Sequence, residues 1–219
     1  MTYKQQVNAL AKEVASEYED WEYVAGAFKN KTLKHTELII RPSFSYSYGT
    51  NVNSTPHYEI KNKKVGKFLK RYGFESYNES FTWSYRFIQA GKPDNFHVNQ
   101  RFYNYDIIMS KRGKRVSELK DFLRGIMDEG IMLLPEKFDF SSEEALLRSI
   151  PEVLKTYSPQ RAVVLCAAKI LIGDFDFIER FYNGEIVEER RFDKEKIKKI
   201  LDDIPNLKKM WEEHGRIVL

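Results

Sequence analysis

Apolar and polar positions alternate along this chain with two different periods, and the period changes near its middle. In residues 3–18, Tyr3, Val7, Leu10, Ala11, Val14 and Tyr18 recur at three- and four-residue intervals. That spacing lines one face of a helix and predicts an amphipathic N-terminal helix. β-Forming residues then dominate in WEYVAGAFKNK (21–31). TELIIRPSFSYSY (36–48) predicts a strand pair, or one strand broken at Pro42, because proline has no N–H to give a ladder. Beyond Pro42, Ser43, Ser45 and Ser47 alternate with Phe44, Tyr46 and Tyr48, a period of two. GTNVNSTP (49–56) is a loop by composition, and HYEI (57–60) a short extended piece.

The next stretch, KNKKVGKFLKRYG (61–73), returns to helical spacing. Val65, Phe68, Leu69 and Tyr72 fall at i, i+3, i+4 and i+7. Lys63, Lys64, Lys67, Lys70 and Arg71 fall elsewhere on the wheel. A helix over 61–72 follows, with its apolar residues packed on the sheet and its cations outside. Gly73 supplies the left-handed residue that ends it, and the last-turn cations suit the helix dipole. ESFTWSYRFIQ (79–89) reads as a strand, AGKPDN as a turn, and FHVNQRFYNYDIIM (96–109) as one long strand or two. The front half is thus α-β-β-α-β-β, an α+β arrangement with an antiparallel meander and one intervening helix.

After Gly113 the pattern becomes helical. Val116, Leu119, Phe122, Leu123, Ile126 and Met127 share one face. Ser141-Ser142 followed by Glu144 resembles a capped helix start, leading to Leu146, Leu147, Ile150 and Leu154. Pro151 kinks or divides that run. Ser158-Pro159 opens a helix around Cys166, GDFDFIERFYNGEI holds a short one, Lys194–Ile204 is another, closed by Pro205, and Asn206–His214 is the last. Two parts result: residues 1–112 with the sheet and residues 113–219 all helical, packed together as one unit.

Composition adds limits. The 219 residues are 42% hydrophobic and 31% charged, as in a soluble globular protein with enough chain for a real core. Cys166 is the one cysteine, so no intramolecular disulfide forms. It lies in the apolar run RAVVLCAAKILIG, where an inert buried thiol is expected. The N-terminus lacks a signal-peptide core, and the run from Ala162 to Gly173 is too short to cross a bilayer, so a cytosolic protein without a membrane partner is expected. Net charge is +4. Residues 1–113 carry 17 basic and 11 acidic groups, a net of +6; residues 114–219 carry 19 and 21, a net of −2.

Most signatures of chemistry are missing. His35, His57, His97 and His214 are scattered, with no HxH, HExxH or CxxC, so no metal and no other cofactor is expected. No GxSxG occurs, and a serine beside a histidine base has no mark in this sequence. Glu59-Ile60-Lys61 matches the acidic-x-lysine tripeptide of metal-dependent nucleases, but the stretch before it offers no second carboxylate. Phosphate-cradling glycine motifs are absent. Asp174 and Asp176 could pair as acid and base or hold a cation. The simpler reading ends a helix at Gly173 and caps the next with Asp174, and sets Asp202-Asp203 on a polar helix face. An active site assembled from residues far apart leaves no trace in one sequence.

What remains is the basic helix. From Lys61 to Arg71 it holds six cations and no acidic residue. Such a patch steers an acidic protein surface or a phosphate backbone alike. The order of an N-terminal helix, WEYVAGAFKNK, LIIRPSFSY and WSYRF resembles uncharacterised bacterial accessory proteins, some of them immunity proteins that neutralise a partner toxin. The resemblance covers the front half and carries over no functional residue. It implies a binding protein without catalytic chemistry of its own. The expected contacts are Lys63, Lys64, Lys67, Lys70 and Arg71 with Arg86, Arg101 and Tyr103, and the expected partner is a protein with an acidic surface. The alternative is nucleic acid held by the same helix, with the aromatic strands around Trp83, Tyr85, Phe87 and Tyr103 as stacking platforms.

Overall fold

A computed structural model describes residues 2–47, 51–54, 56–75, 80–84, 116–150, 159–186 and 194–219. The fold is α+β. Helix α1 (Tyr3–Ala15) opens at a capping box: the Thr2 hydroxyl accepts from the Gln5 N–H, and the Gln5 side chain accepts from the Thr2 N–H. Val7, Leu10, Ala11 and Val14 are buried, as the spacing predicts. Strands β1 (Trp21–Val24), β2 (Ala27–Leu33) and β3 (Thr36–Arg41) form an antiparallel meander. β4 (Phe44–Ser47) pairs with β5 (Asn51–Ser54) as a separate antiparallel ribbon. β6 (His57–Asn62) returns beside β3, and β7 (Ser80–Ser84) lies beyond β6, giving the order β1-β2-β3-β6-β7.

One difference in the strand region has a physical cause. Asn51–Ser54 has loop composition yet forms β5, because β4 offers it a ladder with Phe44 opposite Ser54 and Ser47 opposite Asn51. Pairing overrides the weak strand preference of asparagine and serine. The break at Pro42 is where the reading put it, between β3 and β4. The strand expected over residues 96–109 lies outside the described residues.

Helix α2 (Lys63–Arg71) starts two residues later than the spacing predicts. Lys61 and Asn62 still belong to β6, and the Asn62 side chain accepts from the Lys64 and Val65 N–H groups. The back half is helical, with α3 (Val116–Lys137), α4 (Glu143–Ser149), α5 (Pro159–Leu171), α6 (Asp176–Tyr182), α7 (Lys194–Asp202) and α8 (Ile204–His214). Ser142 caps α4, its hydroxyl accepting from the Ala145 N–H at 3.0 Å. α4 ends before Pro151: Ile150 is already extended (φ −66°, ψ 122°), as the residue before a proline must be. Pro205 does not close α7 but stands in the first turn of α8, where its missing N–H costs nothing. Gly173 ends α5, but Asp174 does not cap α6: the residue before α6 is Phe175, which makes no side-chain capping bond. Asp174 instead stands 4.0 Å from Lys169 Nζ.

The chain forms two compact units, Met1–Ile60 with Thr82–Lys137, and Lys61–Phe81 with Phe138–Leu219. In the first, α1 and α3 pack together, α1 against β1 and α3 against β3. Gly130 permits the close approach of α3: a Cβ there would lie 2.5 Å from Ile40 Cδ1 and 2.6 Å from Tyr58 Cε1. Ion pairs reach α3 from Glu13 of α1, to Lys120 at 2.5 Å, and from Glu17 just past the end of α1, to Arg124 by two bonds of 2.6 and 2.7 Å. In the second unit, α5 is the central element. Residues 162–170 are all buried, and α2, α4 and α6 pack on it. Cys166 is fully buried there, and burial pushes its thiol pKa well up. Among the described residues, no helix is long and apolar enough to cross a membrane.

Candidate functional site

The basic face of α2 is built from the inside out. Val65, Phe68 and Leu69 are fully buried, and α5, a helix of the same unit, packs on α2. Both ends of α2 are fixed. At the start, Asn62 caps the first turn and donates from Nδ2 to Glu143 Oε2 at 2.8 Å. At the end, Gly73 N–H donates to Lys70 O and Phe74 N–H to Leu69 O, with Gly73 at φ +81°. This is the left-handed closure that glycine accommodates without strain, and the buried Phe74 seals it.

Lys63, Lys67, Lys70 and Arg71 are exposed on α2 and Lys64 is half-exposed. Arg71 leans back onto Asp203, Nη2 to Oδ2 at 3.4 Å. Among the described residues, no carboxylate pairs with the Lys64, Lys67 or Lys70 side chains. Lys61 stands on β6, so it is not part of the helical row. Tyr72 is committed: its hydroxyl donates to Asp203, and its ring packs 5.0 Å from Phe68. Burial and then that hydrogen bond push the Tyr72 pKa up. Asp203 therefore does not lie idle on a polar face. It accepts from Tyr72, Arg71 and Asn206, and these bonds hold its carboxyl below the usual range against the opposing effect of desolvation. Arg86, Arg101 and Tyr103, expected beside this helix, lie outside the described residues, as do Tyr85, Phe87 and His97. Among the described residues no three His, Cys, Asp or Glu side chains gather to hold a metal ion.

A second polar group has no counterpart in the sequence reading. It sits where the β4–β5 ribbon leaves β3 and rejoins β6. Ser43 Oγ lies 2.9 Å from His57 Nδ1, His57 Nε2 lies 3.0 Å from Glu59 Oε1, and Arg41 Nε donates to the same Oε1 at 2.9 Å. Glu59 is buried at 5% exposure, while Ser43 and His57 are half-exposed. Burial alone would raise the Glu59 pKa, but the bonds from His57 and Arg41 outweigh it and hold the carboxyl down to about 2. Residues 57 and 59 share a face of β6 by strand alternation, and that pairing was readable from HYEI. The approach of Ser43 was not, because it depends on the ribbon folding out between Pro42 and Pro56.

No family model, no curated protein and no solved structure matches this chain.

Proposed function

We propose that this protein acts in the cytosol by binding a partner protein through the outer face of α2, and that the partner presents an acidic surface, in the manner of an immunity protein that neutralises a toxin. The observation that carries the reading is the contrast between the two sides of α2. Its inner face is anchored without exposure, and both ends are closed by specific hydrogen bonds. Its outer side presents Lys64, Lys67 and Lys70 with no internal carboxylate partner among the described residues. A fixed helix spends little further entropy in placing those charges against a partner. The helix is about 13 Å long at 1.5 Å per residue, a match for a small acidic patch. The one aromatic at its end, Tyr72, is tied to Asp203 and Phe68, so it is not offered for base stacking. This favours protein over nucleic acid.

The test uses two baits in native lysate, the wild-type chain and the double variant Lys67→Glu, Lys70→Glu. Each is split into samples with and without nuclease and washed at low and high salt. Removing two surface charge contacts weakens binding by about 1–2 kcal/mol, roughly five- to thirtyfold in affinity. A protein held by the wild type after nuclease and lost from the variant supports the proposal. A protein held equally by both baits removes α2 from the interface. Recovery of nucleic acid alone, shed steeply with salt, replaces the protein partner with a phosphate backbone.

A further inference from the structure

The group Ser43, His57 and Glu59 has the order of a nucleophile, a base and an orienting carboxylate. Its roles follow from hydrogen-bond inventory. Glu59, ionised and acceptor-only, draws a proton onto His57 Nε2. In the Nε2–H tautomer Nδ1 is an acceptor, and Ser43 Oγ stands 2.9 Å from that atom. The hydroxyl proton is thus directed at the base that would take it. Arg41, donating to Glu59 Oε1 at 2.9 Å, holds the carboxylate in place from β3.

Two further features support a chemical role. Ser43 has φ +51°, a left-handed backbone that serine seldom adopts. It follows Pro42 and precedes β4, so the conformation is imposed by the turn between two strands. Such strain concentrates where a side chain must be presented in one orientation. Exposure also falls in the functional order: Ser43 and His57 are reachable from solvent, and Glu59 is enclosed. A purely structural carboxylate–arginine pair needs neither the histidine nor the serine.

We propose that Ser43 is a nucleophile toward acyl groups, with His57 as its general base, Glu59 as a positioning residue, and small carboxylic esters as the substrate class. The balance is that of ester hydrolysis. Ser43 Oγ bonds to the carbonyl carbon as its proton passes to His57 Nδ1, and the carbonyl electron pair moves onto oxygen. When the tetrahedral adduct collapses, the bond to the alcohol oxygen breaks and that oxygen takes the proton from His57. Water then gives a proton to His57 and attacks the acyl group. Ser43 Oγ leaves and recovers its proton, so ester plus water becomes acid plus alcohol. The proposal is independent of the docking role of α2, and either stands if the other fails.

The experiment is covalent labelling of the intact chain with a fluorophosphonate, followed by peptide mapping, with p-nitrophenyl acetate turnover measured in parallel. The wild type should carry one adduct, at Ser43, and Ser43→Ala none. His57→Gln should slow labelling by about a hundredfold or more, the contribution expected of a positioned base. Glu59→Gln should slow it too, and the imidazole nitrogen signals of His57 should change from a single Nε2–H tautomer to a mixture. A loss of packing alone would not produce that spectroscopic change. Circular dichroism of each variant identifies any that fail to fold. An unmodified Ser43 in the folded wild type overturns the proposal, and so does labelling of Ser43 at equal rates in the wild type and a folded His57→Gln variant.

Discussion

Replacing Phe68 with alanine is the sharpest test of how the basic helix is held. Phe68 is fully buried, and its ring packs at a tilt against Tyr72, 5.0 Å between centroids. Removing the ring from its buried site forfeits about 1.5–3 kcal/mol of transfer free energy. A cavity term adds to this, and its size depends on whether the surroundings can collapse. Here they are constrained. α5 behind the helix is buried along its whole middle, and α2 is pinned by Asn62 at one end and Gly73 at the other. Little relaxation is available, so the loss belongs at about 4 kcal/mol. For a chain of this length that corresponds to a melting temperature lower by about 8–16 °C. Urea unfolding of wild type, Phe68→Ala and Lys67→Ala makes the comparison. The exposed Lys67 should cost no more than about 0.5 kcal/mol. A loss below about 1 kcal/mol for Phe68→Ala would refute the inside-out construction of α2, and with it the fixed presentation of its lysines.

Two further outcomes are expected. Gly73 and Gly173 both have φ near +80°, so alanine strains the backbone at either, but only at Gly173 would the new Cβ meet a fixed ring, Trp211 Cε2 at 2.7 Å. Gly73→Ala should lose about 1 kcal/mol and Gly173→Ala about 2–4 kcal/mol; equal losses in denaturant melts would show that Trp211 yields. Glu59 titrates near 4.5 when unfolded and is held to about 2 when folded. Its contribution is therefore present above the unfolded value and lost as pH falls toward the folded one, because the unfolded chain then binds the extra proton. Glu59→Gln should flatten the decline in stability between about pH 5 and pH 3, and an unchanged slope in urea titrations would contradict the His57 and Arg41 bonds.

Local signals carried much of the fold. The helical spacing from Tyr3 to Val14 marks α1, Pro42 marks the break between β3 and β4, Gly73 the end of α2, and Ser142 the start of α4. Each of these is decided within a few residues of chain. Pairing was less legible. β5 is made of asparagine, valine and serine and becomes a strand because β4 lies beside it. The role of α5 was hidden for the same reason: the apolar face of α2 needed a partner, and nothing in the sequence names α5. The basic face itself was plain, since charge on a helix wheel needs no tertiary information. Ser43 and Glu59 were invisible as a pair because their meeting depends on the β4–β5 ribbon closing between them. Clamps such as Glu17 to Arg124 span 107 positions and carry no periodic signal at all.

The central claim is that the outer face of α2 meets an acidic protein. A photo-crosslinking residue at position 67, compared with one at the exposed position 12 of α1, tests it most directly in living cells. The account predicts a crosslinked product from position 67 that contains an acidic protein, and none from position 12. No adduct at 67, or the same adducts from both positions, would contradict it.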